Sequence, residues 1–412
     1  MSNFKFLHAA DIHLDSPLLG LGSRTDAPVD RIRAATREAL KNLVQFAIDE
    51  AVDFVVVAGD LYDGTWKDMK TGIFAMQQFA RLGHAGIRTF VILGNHDAES
   101  KLTVDLPKPD GVHFFGSAAG EVVTIADLGV AVHGRSFKTA AVLDNLAIEY
   151  APPVPDMFNI AMLHTALEGG HEHAPYAPCR LVELQTSGHD YWALGHVHDH
   201  IVHNEHPHVV HPGNVQGRHA RETGPKGAVL VQVEDGVVTG MRHVPLDDVR
   251  WEHMTIVVAD GAAGTLHDVF RDKLDVITRE AGGRPVIARV TIDARNADAD
   301  EIAVMMDAVE TDLRAIAAQA ADAVWLEKVR LKASRSAPAA LPKAIADLID
   351  GGADDATARD ALRAALQPLA DKLPAKLDED DPLLVALQTG DWGVLAAAAS
   401  ETIGARLPGE RP

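Results

Sequence analysis

The sequence predicts an α/β fold in which two packed sheets are flanked by helices, and three observations carry that prediction. From Phe4 to about Val244, short apolar runs alternate with helix-period stretches and turn clusters. The run at 54–57 is β-branched and too short for a buried helix, as a strand buried on both faces should be. After about Val122 the runs shorten and turn residues crowd in, at 130–132, 208–211 and 228–233, which predicts a second sheet with antiparallel pairs.

In chain order, residues 4–10 form a first strand that ends in Asp11. Ile32, Leu40, Leu43, Ala47 and Ala51 then fall at helical spacing and lead into the strand at Phe54. Residues 1–245 are read as one α/β domain. From Trp251 the pattern changes: strands at 254–258, 286–292 and 324–329 are separated by helical stretches at 266–280 and 300–321. This predicts a small α+β domain over 250–335. Residues 336–412 are rich in Ala, Leu and Asp, are punctuated by Pro338, Pro342, Pro368, Pro374 and Pro382, and read as a tail of short helices.

A chain of 412 residues with 47% apolar composition can bury a sizeable core in roughly two or three domains. No apolar run is long enough for a bilayer and no export signal is seen, so no membrane partner is expected. Cys179 is the only cysteine, which excludes an intrachain disulfide and a zinc site built on several thiolates, and makes a reducing cytoplasm the default compartment. The formal charge of -21 argues against a broad basic face for nucleic acid, because phosphate affinity comes from Lys and Arg. Contact with a polyanion must then be local or metal-borne.

The chemistry lies at the ends of the apolar runs. Asp11 and His13 follow the first, Asp60 the second, Asn95 and His96 the third, His164 a fourth, and His196 with His198 a fifth. Strand ends are where sites form in α/β sheets. In extended chain, residues two apart point to the same side, so the pair Asp11 and His13 and the pair His196 and His198 could each grip one ion. Seven side chains are too many for one ion. With Asp60 as a bridge, Asp11, His13, Asp60, Asn95, His164, His196 and His198 supply two ions, about 3.5 to 4 Å apart in sites of this kind. Mixed imidazole and carboxylate ligation favours manganese, with iron or zinc as alternatives, over magnesium.

Such a pair supplies what phosphoester hydrolysis needs: an activated bridging water, two Lewis acids on the phosphoryl oxygens, and stabilised charge on the departing oxygen. His96 is the remaining group that could protonate that oxygen, with Asp63 or Asp97 to orient it. Taken singly, Asp60 fits a turn, Asn95 a cap and His13 a core histidine. Five strand-end motifs in one chain outweigh those readings. His200, His203, His206, His208 and His211 are read as hairpin surface, and His171 and His173 as a solvated loop.

Asp11-x-His13, Gly59-Asp60, Gly94-Asn95-His96-Asp97, His164 and Gly195-His196-Val197-His198 resemble the signature of the calcineurin-like metallophosphoesterases. Within them, the Asp11, Asp60 to Asp63 and Gly94 to Asp97 motifs resemble the SbcD-type DNA repair exonucleases. Pro212-Gly213-Asn214 through Gly217-Arg218-His219, with Arg221 to Gly227, is similar to YhaO-like members. The resemblance implies a two-sheet αββα sandwich followed by a capping domain. It also implies one metal on Asp11, His13, Asp60 and His198, and the other on Asp60, Asn95, His164 and His196. Some relatives carry a histidine where this chain has Asp63, which leaves Asp63 the role of orienting the catalytic His96. The implied activity is manganese-dependent exonucleolytic cleavage of DNA, with an SbcC-like or YhaN-like ATPase as partner.

Arg218, His219 and Lys226 put positive charge shortly after the last ligand and are read as contacts for substrate phosphate. Residues 250–335 would select DNA shape or, alternatively, make a homodimer; the acidic tail would dock the ATPase or pack on the cap. Two other functions compete: a phosphatase or cyclic-nucleotide phosphodiesterase with the same metals, and a scaffold that kept the fold and lost catalysis. The complete ligand set and His96 speak against the scaffold.

Overall fold

Fifteen strands, six α-helices and one 3-10 turn (Ala147–Glu149) follow one another among the residues described in the computed structural model, which are 3–16, 29–64, 69–99, 106–167, 176–259, 263–296, 299–320 and 324–332, with Ala386 and Val394 beyond them. The expected helices of 336–412, those two residues excepted, and His171 and His173 lie outside that set. The order is β1 (Phe4–Ala9), α1 (Val29–Asp49), β2 (Phe54–Ala58), α2 (Met69–His84), β3 (Arg88–Ile92), α3 (Asn95–Glu99), β4 (Val112–Phe114), β5 (Glu121–Ile125), β6 (Val130–Gly134) and β7 (Phe158–His164). It continues with α4 (Leu181–Thr186), β8 (Tyr191–Gly195), β9 (His200–Glu205), β10 (His208–Pro212), β11 (Gly227–Glu234) and β12 (Val237–Pro245). Last come β13 (Arg250–Ala259), α5 (Ala263–Glu280), β14 (Val286–Asn296), α6 (Ala299–Gln319) and β15 (Val324–Lys332).

Two six-stranded sheets form, ordered β12-β11-β1-β2-β3-β4 and β5-β6-β7-β8-β10-β9, with a three-stranded sheet β13-β14-β15. Strands β1 to β4 are parallel in register, Phe6 opposite Phe54 and Phe54 opposite Arg88. The run 228–233 does not join the second sheet as expected. It returns as β11 to pair antiparallel with β1, Phe6 opposite Val231, because its apolar residues complete the buried edge that β1 would otherwise leave open. The second sheet is parallel across β6, β7, β8 and β10 and antiparallel only at its margins, β5 with β6 and β9 with β10.

Period-two alternation divides the core. Phe4, Phe6, Phe54, Val56 and Phe90 face Phe158, Ile160, Met162 and Tyr191 between the sheets. Phe6 and Phe54 stack at 5.1 Å, and Tyr191 meets Phe6 edge-on at 5.2 Å. The alternate residues Leu7, Ala9, Val55, Val57 and Val91 pack on Leu40, Leu43 and Val44 of α1 and Ala75, Phe79 and Leu82 of α2. On the far side, Ala161, Leu163, Trp192 and Leu194 are covered by Leu184 of short α4 and by Phe137 and Leu146.

By its internal contacts the chain divides into one unit of 1–256, 264–291 and 310–330 and another of 257–263, 292–309 and 331–412. In the first unit, Trp251, Val249 and Ile287 share a small core with Ile32 and Ala35 of α1 and with Ala220.

Candidate metal centre

Five strands of the two large sheets deliver the site. β1, β2, β3, β7 and β8 end at or just before Asp11, Asp60, Asn95, His164 and His196. The expectation of extended chain past β1 is corrected. Asp11 (φ 51°), His13 (φ 45°), Asp60 (φ 50°) and His196 (φ 94°) adopt left-handed backbone, which costs on the order of 1–3 kcal/mol each in a non-glycine residue. Backbone bonds hold them there: Asp11 N donates to Gly59 O and His13 N to Asp60 O, each at 3.0 Å, and His196 N donates to the Asp11 carboxylate at 2.9 Å.

Glycines leave room for the converging side chains. A β-carbon on Gly94 would stand 2.3 Å from Asp60 Oδ1 and 2.8 Å from His164 Nε2. One on Gly59 would stand 2.4 Å from His164 Nδ1. All three distances are far inside van der Waals contact, so the motif glycines are steric requirements of the centre.

The ligand atoms gather into overlapping groups. Asp11, His13 and His198 form one, Asp60, His164 and His196 another, and His13, Asp60 and His96 a third, with all ligand atoms in each group within 4.8 Å of one another. Asn95 joins the second group through Oδ1, 3.0 Å from His164 Nε2. His196 and His198 therefore do not grip one ion as a pair; the left-handed turn at His196 sends them to different groups. Asp60 reaches both sides, with Oδ2 3.7 Å from His13 Nε2 and 3.4 Å from His164 Nε2.

The hydrogen-bond geometry points to cations at these groups. His13 Nδ1 faces Asp63 Oδ1 at 3.2 Å and His198 Nδ1 faces Glu222 Oε1 at 2.7 Å, so each Nδ1 carries the hydrogen. Burial, with the nearby Arg218 charge, lowers the His13 pKa to about 3, and burial likewise lowers that of His198, which disfavours a second proton on either ring. Their Nε2 lone pairs then face each other across 3.2 Å, an arrangement that a shared cation resolves. His164 donates Nδ1–H to Ala58 O at 2.9 Å and turns Nε2 on the acceptors Asp60 and Asn95. Burial disfavours charge on His164, yet the charges of Asp60 and Asp11 overcome it and raise its pKa to about 9. Asp60 is correspondingly held below the usual carboxylate range against its burial, mainly by His164. The donor set fits divalent ions of the manganese, iron or zinc type.

His96 sits at the rim, its side chain 38% exposed, with Nδ1 3.3 Å from Asp63 Oδ1. Asp97 is committed elsewhere: its carboxylate accepts the backbone N–H groups of Leu61, Tyr62 and Gly94 at 3.1, 2.8 and 2.9 Å. Burial and the Asp60 charge push it up to about 7 despite those donors. Asp63 is thus the carboxylate that faces His96, and it also accepts from Ser16 Oγ at 2.8 Å.

Of the expected phosphate contacts, Arg218 lies closest to the centre, with Nη1 3.5 Å from Asp63 Oδ1 and Nη2 3.2 Å from Glu222 Oε1. His219 is 47% exposed beside Glu222. Lys226 is 5% exposed, and its ammonium is bound to His198 O at 2.8 Å and Asp199 Oδ1 at 2.9 Å, which fixes the chain that carries His198. His211 departs from the surface position expected of it: it is fully buried and bonded through Nε2 to Thr165 O at 3.0 Å. Glu222, Asn214 and Ser16 support the site; Asn214 and Glu222 lie in the segments that resemble YhaO-like members, but none of the three was read from sequence as a site residue.

Residues 4–200 match the family described as calcineurin-like phosphoesterase, and residues 251–334 match the middle domain of metallophosphoesterase YhaO. The site and this match define the class as metallophosphoesterase. The chain is 35% identical over 297 residues to a protein named "Uncharacterized metallophosphoesterase YhaO" from Bacillus subtilis (strain 168), covering 71% of this chain and 72% of that one. It belongs to the calcineurin-like metallophosphoesterases, in the YhaO-like family. A DNA double-strand break repair protein Mre11 from Methanopyrus kandleri is 25% identical over 214 residues, covering 47% of this chain and 44% of that relative. Another Mre11, from Sulfurisphaera tokodaii, is 27% identical and covers 48% and 50%. The chain thus spans about half the length of the Mre11 relatives it matches. Among solved structures, TT1561 of Thermus thermophilus superposes with a TM-score of 0.35 at 14% identity, covering 59% of this chain and 99% of that one. The family hydrolyses phosphoesters at a dimetal centre. Among the described residues no helix is long and apolar enough to cross a membrane.

Proposed function

We propose that this chain is a metal-dependent exonuclease that cleaves the phosphodiester bonds of DNA during repair. The observation that carries the reading is the pair of buried carboxylate–imidazole groups joined at Asp60, with His96 held at their rim by Asp63. Asp11, His13, Asp60 and His198 would hold one divalent ion, and Asp60, Asn95, His164 and His196 the other. Manganese is the proposed metal. When bound, the ions supply Lewis acidity toward the phosphoryl oxygens and lower the pKa of water at the centre.

The remaining work falls to the chain's own groups. His96 Nδ1 is turned on Asp63, which leaves Nε2 to donate a proton to the departing oxygen as the P–O bond breaks. Arg218 donates to a non-bridging phosphate oxygen, with the rim-exposed His219 beside it, while Lys226 acts through the backbone of His198. The relatives named for DNA double-strand break repair support DNA as the polymer. The remaining elements of the proposal are a cap at 250–335, an SbcC-like or YhaN-like ATPase or a second copy as partner, and action in the cytoplasm.

The test is release of nucleotides from linear duplex DNA with manganese, with magnesium and without metal, comparing wild type with His96→Ala and Asp60→Ala. Manganese-dependent release that both variants lose is the expected result. The net charge of -21 favours a second reading, a phosphodiesterase of small substrates. Intact DNA beside hydrolysed cyclic nucleotide would select it.

A further inference from the structure

Beside the centre lies a carboxylate that neither the ligand set nor the proposed chemistry uses. Glu222 is 6% exposed, and each of its oxygens accepts two hydrogen bonds. Oε1 takes His198 Nδ1–H at 2.7 Å and Arg218 Nη2 at 3.2 Å. Oε2 takes the Arg218 backbone N–H at 2.7 Å and Asn214 Nδ2 at 2.8 Å. The loop that carries it is tied at both ends: Trp251 Nε1 donates to Gly217 O and Gly224 N to Trp251 O, each at 2.9 Å.

We infer that Glu222 is a positioning residue that sets two groups at once, the Nδ1–H tautomer of His198 and the placement of the Arg218 guanidinium beside Asp63. The inference rests on the metal-centre reading above. Its logic is one of donors and acceptors. All four groups hydrogen-bonded to the carboxylate are donors, with His219 Nε2 a further 3.5 Å neighbour of Oε1, so only an ionised carboxylate satisfies the four. A glutamine at this position must turn its NH2 either on His198 Nδ1–H and Arg218, or on Asn214 and the Arg218 backbone. Once His198 Nδ1 loses its acceptor, the ring can move its proton to Nε2, the atom aimed at His13 and Asp11. A protonated Nε2 cannot ligate. The same substitution frees the guanidinium, so ion loading on the His198 side and charge toward substrate phosphate are lost together.

The test is calorimetric titration of the full chain with Mn2+, comparing wild type, Glu222→Gln and Arg218→Met. It is joined by nitrogen NMR of 15N-histidine protein, which reads which ring nitrogen carries the proton, and by KM and kcat on bis(p-nitrophenyl) phosphate. Wild type is expected to take two ions. Glu222→Gln should keep one at wild-type affinity and weaken the other about 10- to 100-fold, with the His198 proton moved to Nε2 and KM raised. Arg218→Met should keep both ions and raise KM alone. If Glu222→Gln binds both ions as wild type does, or loses both equally, the positioning role is wrong while the metal centre stands. Wild type that takes up no ion refutes the metal-centre reading and this inference with it.

Discussion

Gly195→Ala probes a point where the two large sheets approach closely at the site. A β-carbon there would stand 2.0 Å from Ala58 O on β2 and 2.9 Å from His164 Nδ1. Carbon and carbonyl oxygen touch at about 3.3 Å, so the strands must part by roughly 1.3 Å or the backbone must twist. Ala58 O is also the acceptor that orients His164, at 2.9 Å from Nδ1. Two effects follow from one methyl group. Overpacking should cost about 1–3 kcal/mol, which lowers the melting temperature of a domain this size by about 2–12 °C. Loss of the bond that orients His164 should weaken the ion on the Asp60, Asn95, His164 and His196 side by about 10- to 100-fold. Differential scanning fluorimetry in chelator reads the first effect. Metal content by mass spectrometry after dialysis against graded Mn2+ reads the second. Gly116→Ala is the control, since no heavy atom lies within 4 Å of its β-carbon position, and it should change stability by under about 0.5 kcal/mol. A Gly195→Ala protein that melts with wild type and keeps both ions would show that this close approach is not what positions His164.

Four further outcomes are expected. Asp97→Ala should destabilise by about 2–4 kcal/mol in urea unfolding, because it strands the buried N–H groups of Leu61, Tyr62 and Gly94, and Asp97→Asn should cost less. His96→Ala should lower kcat on a phosphodiester by about 10²–10⁴-fold with both ions retained. Asp63→Asn should lower kcat and also weaken an ion, since Asp63 serves His13 as well as His96; equal metal affinity in the two variants would count against this division. Burial, partly opposed by the Leu194 carbonyl, lowers the pKa of His8 from 6.5 to about 3. The unfolded chain therefore binds the extra proton between these values, so stability is full above about pH 6.5 and declines as pH falls toward 3. From pH 7 to pH 5 this amounts to about 2 kcal/mol, and His8→Gln should flatten the unfolding free energy against pH by that much.

The elements with a strong local period were legible in the sequence. α1 lies within a few residues of its predicted span, and the strands β2 and β14 begin where their apolar runs begin, because burial on both faces demands those runs. The positions of the ligands at five strand ends were legible for the same reason: the polar residue that stops an apolar run is also the one the sheet edge exposes. Sheet membership of 228–233 was not, since an apolar strand carries no mark of which neighbour it completes, and only the open side of β1 decides it.

The division of labour in the site also waited on tertiary structure. His196 and His198 are two residues apart, and the extended-chain rule placed them together; the family resemblance divided them, and the left-handed backbone at His196 is what separates them into different groups. From the residues alone Asp63 and Asp97 were equal candidates beside His96; the family resemblance favoured Asp63, and the backbone donors of Leu61, Tyr62 and Gly94 occupy Asp97. Lys226 and Arg218 carry the same charge in the same loop, yet one is buried on the His198 carbonyl and the other stands by Asp63. Sequence by itself determined which residue types reach the sheet edge, because period and polarity are local properties. The tertiary structure alone decided which atom each of them faces, because that depends on contacts between residues as far apart as His13 and His198.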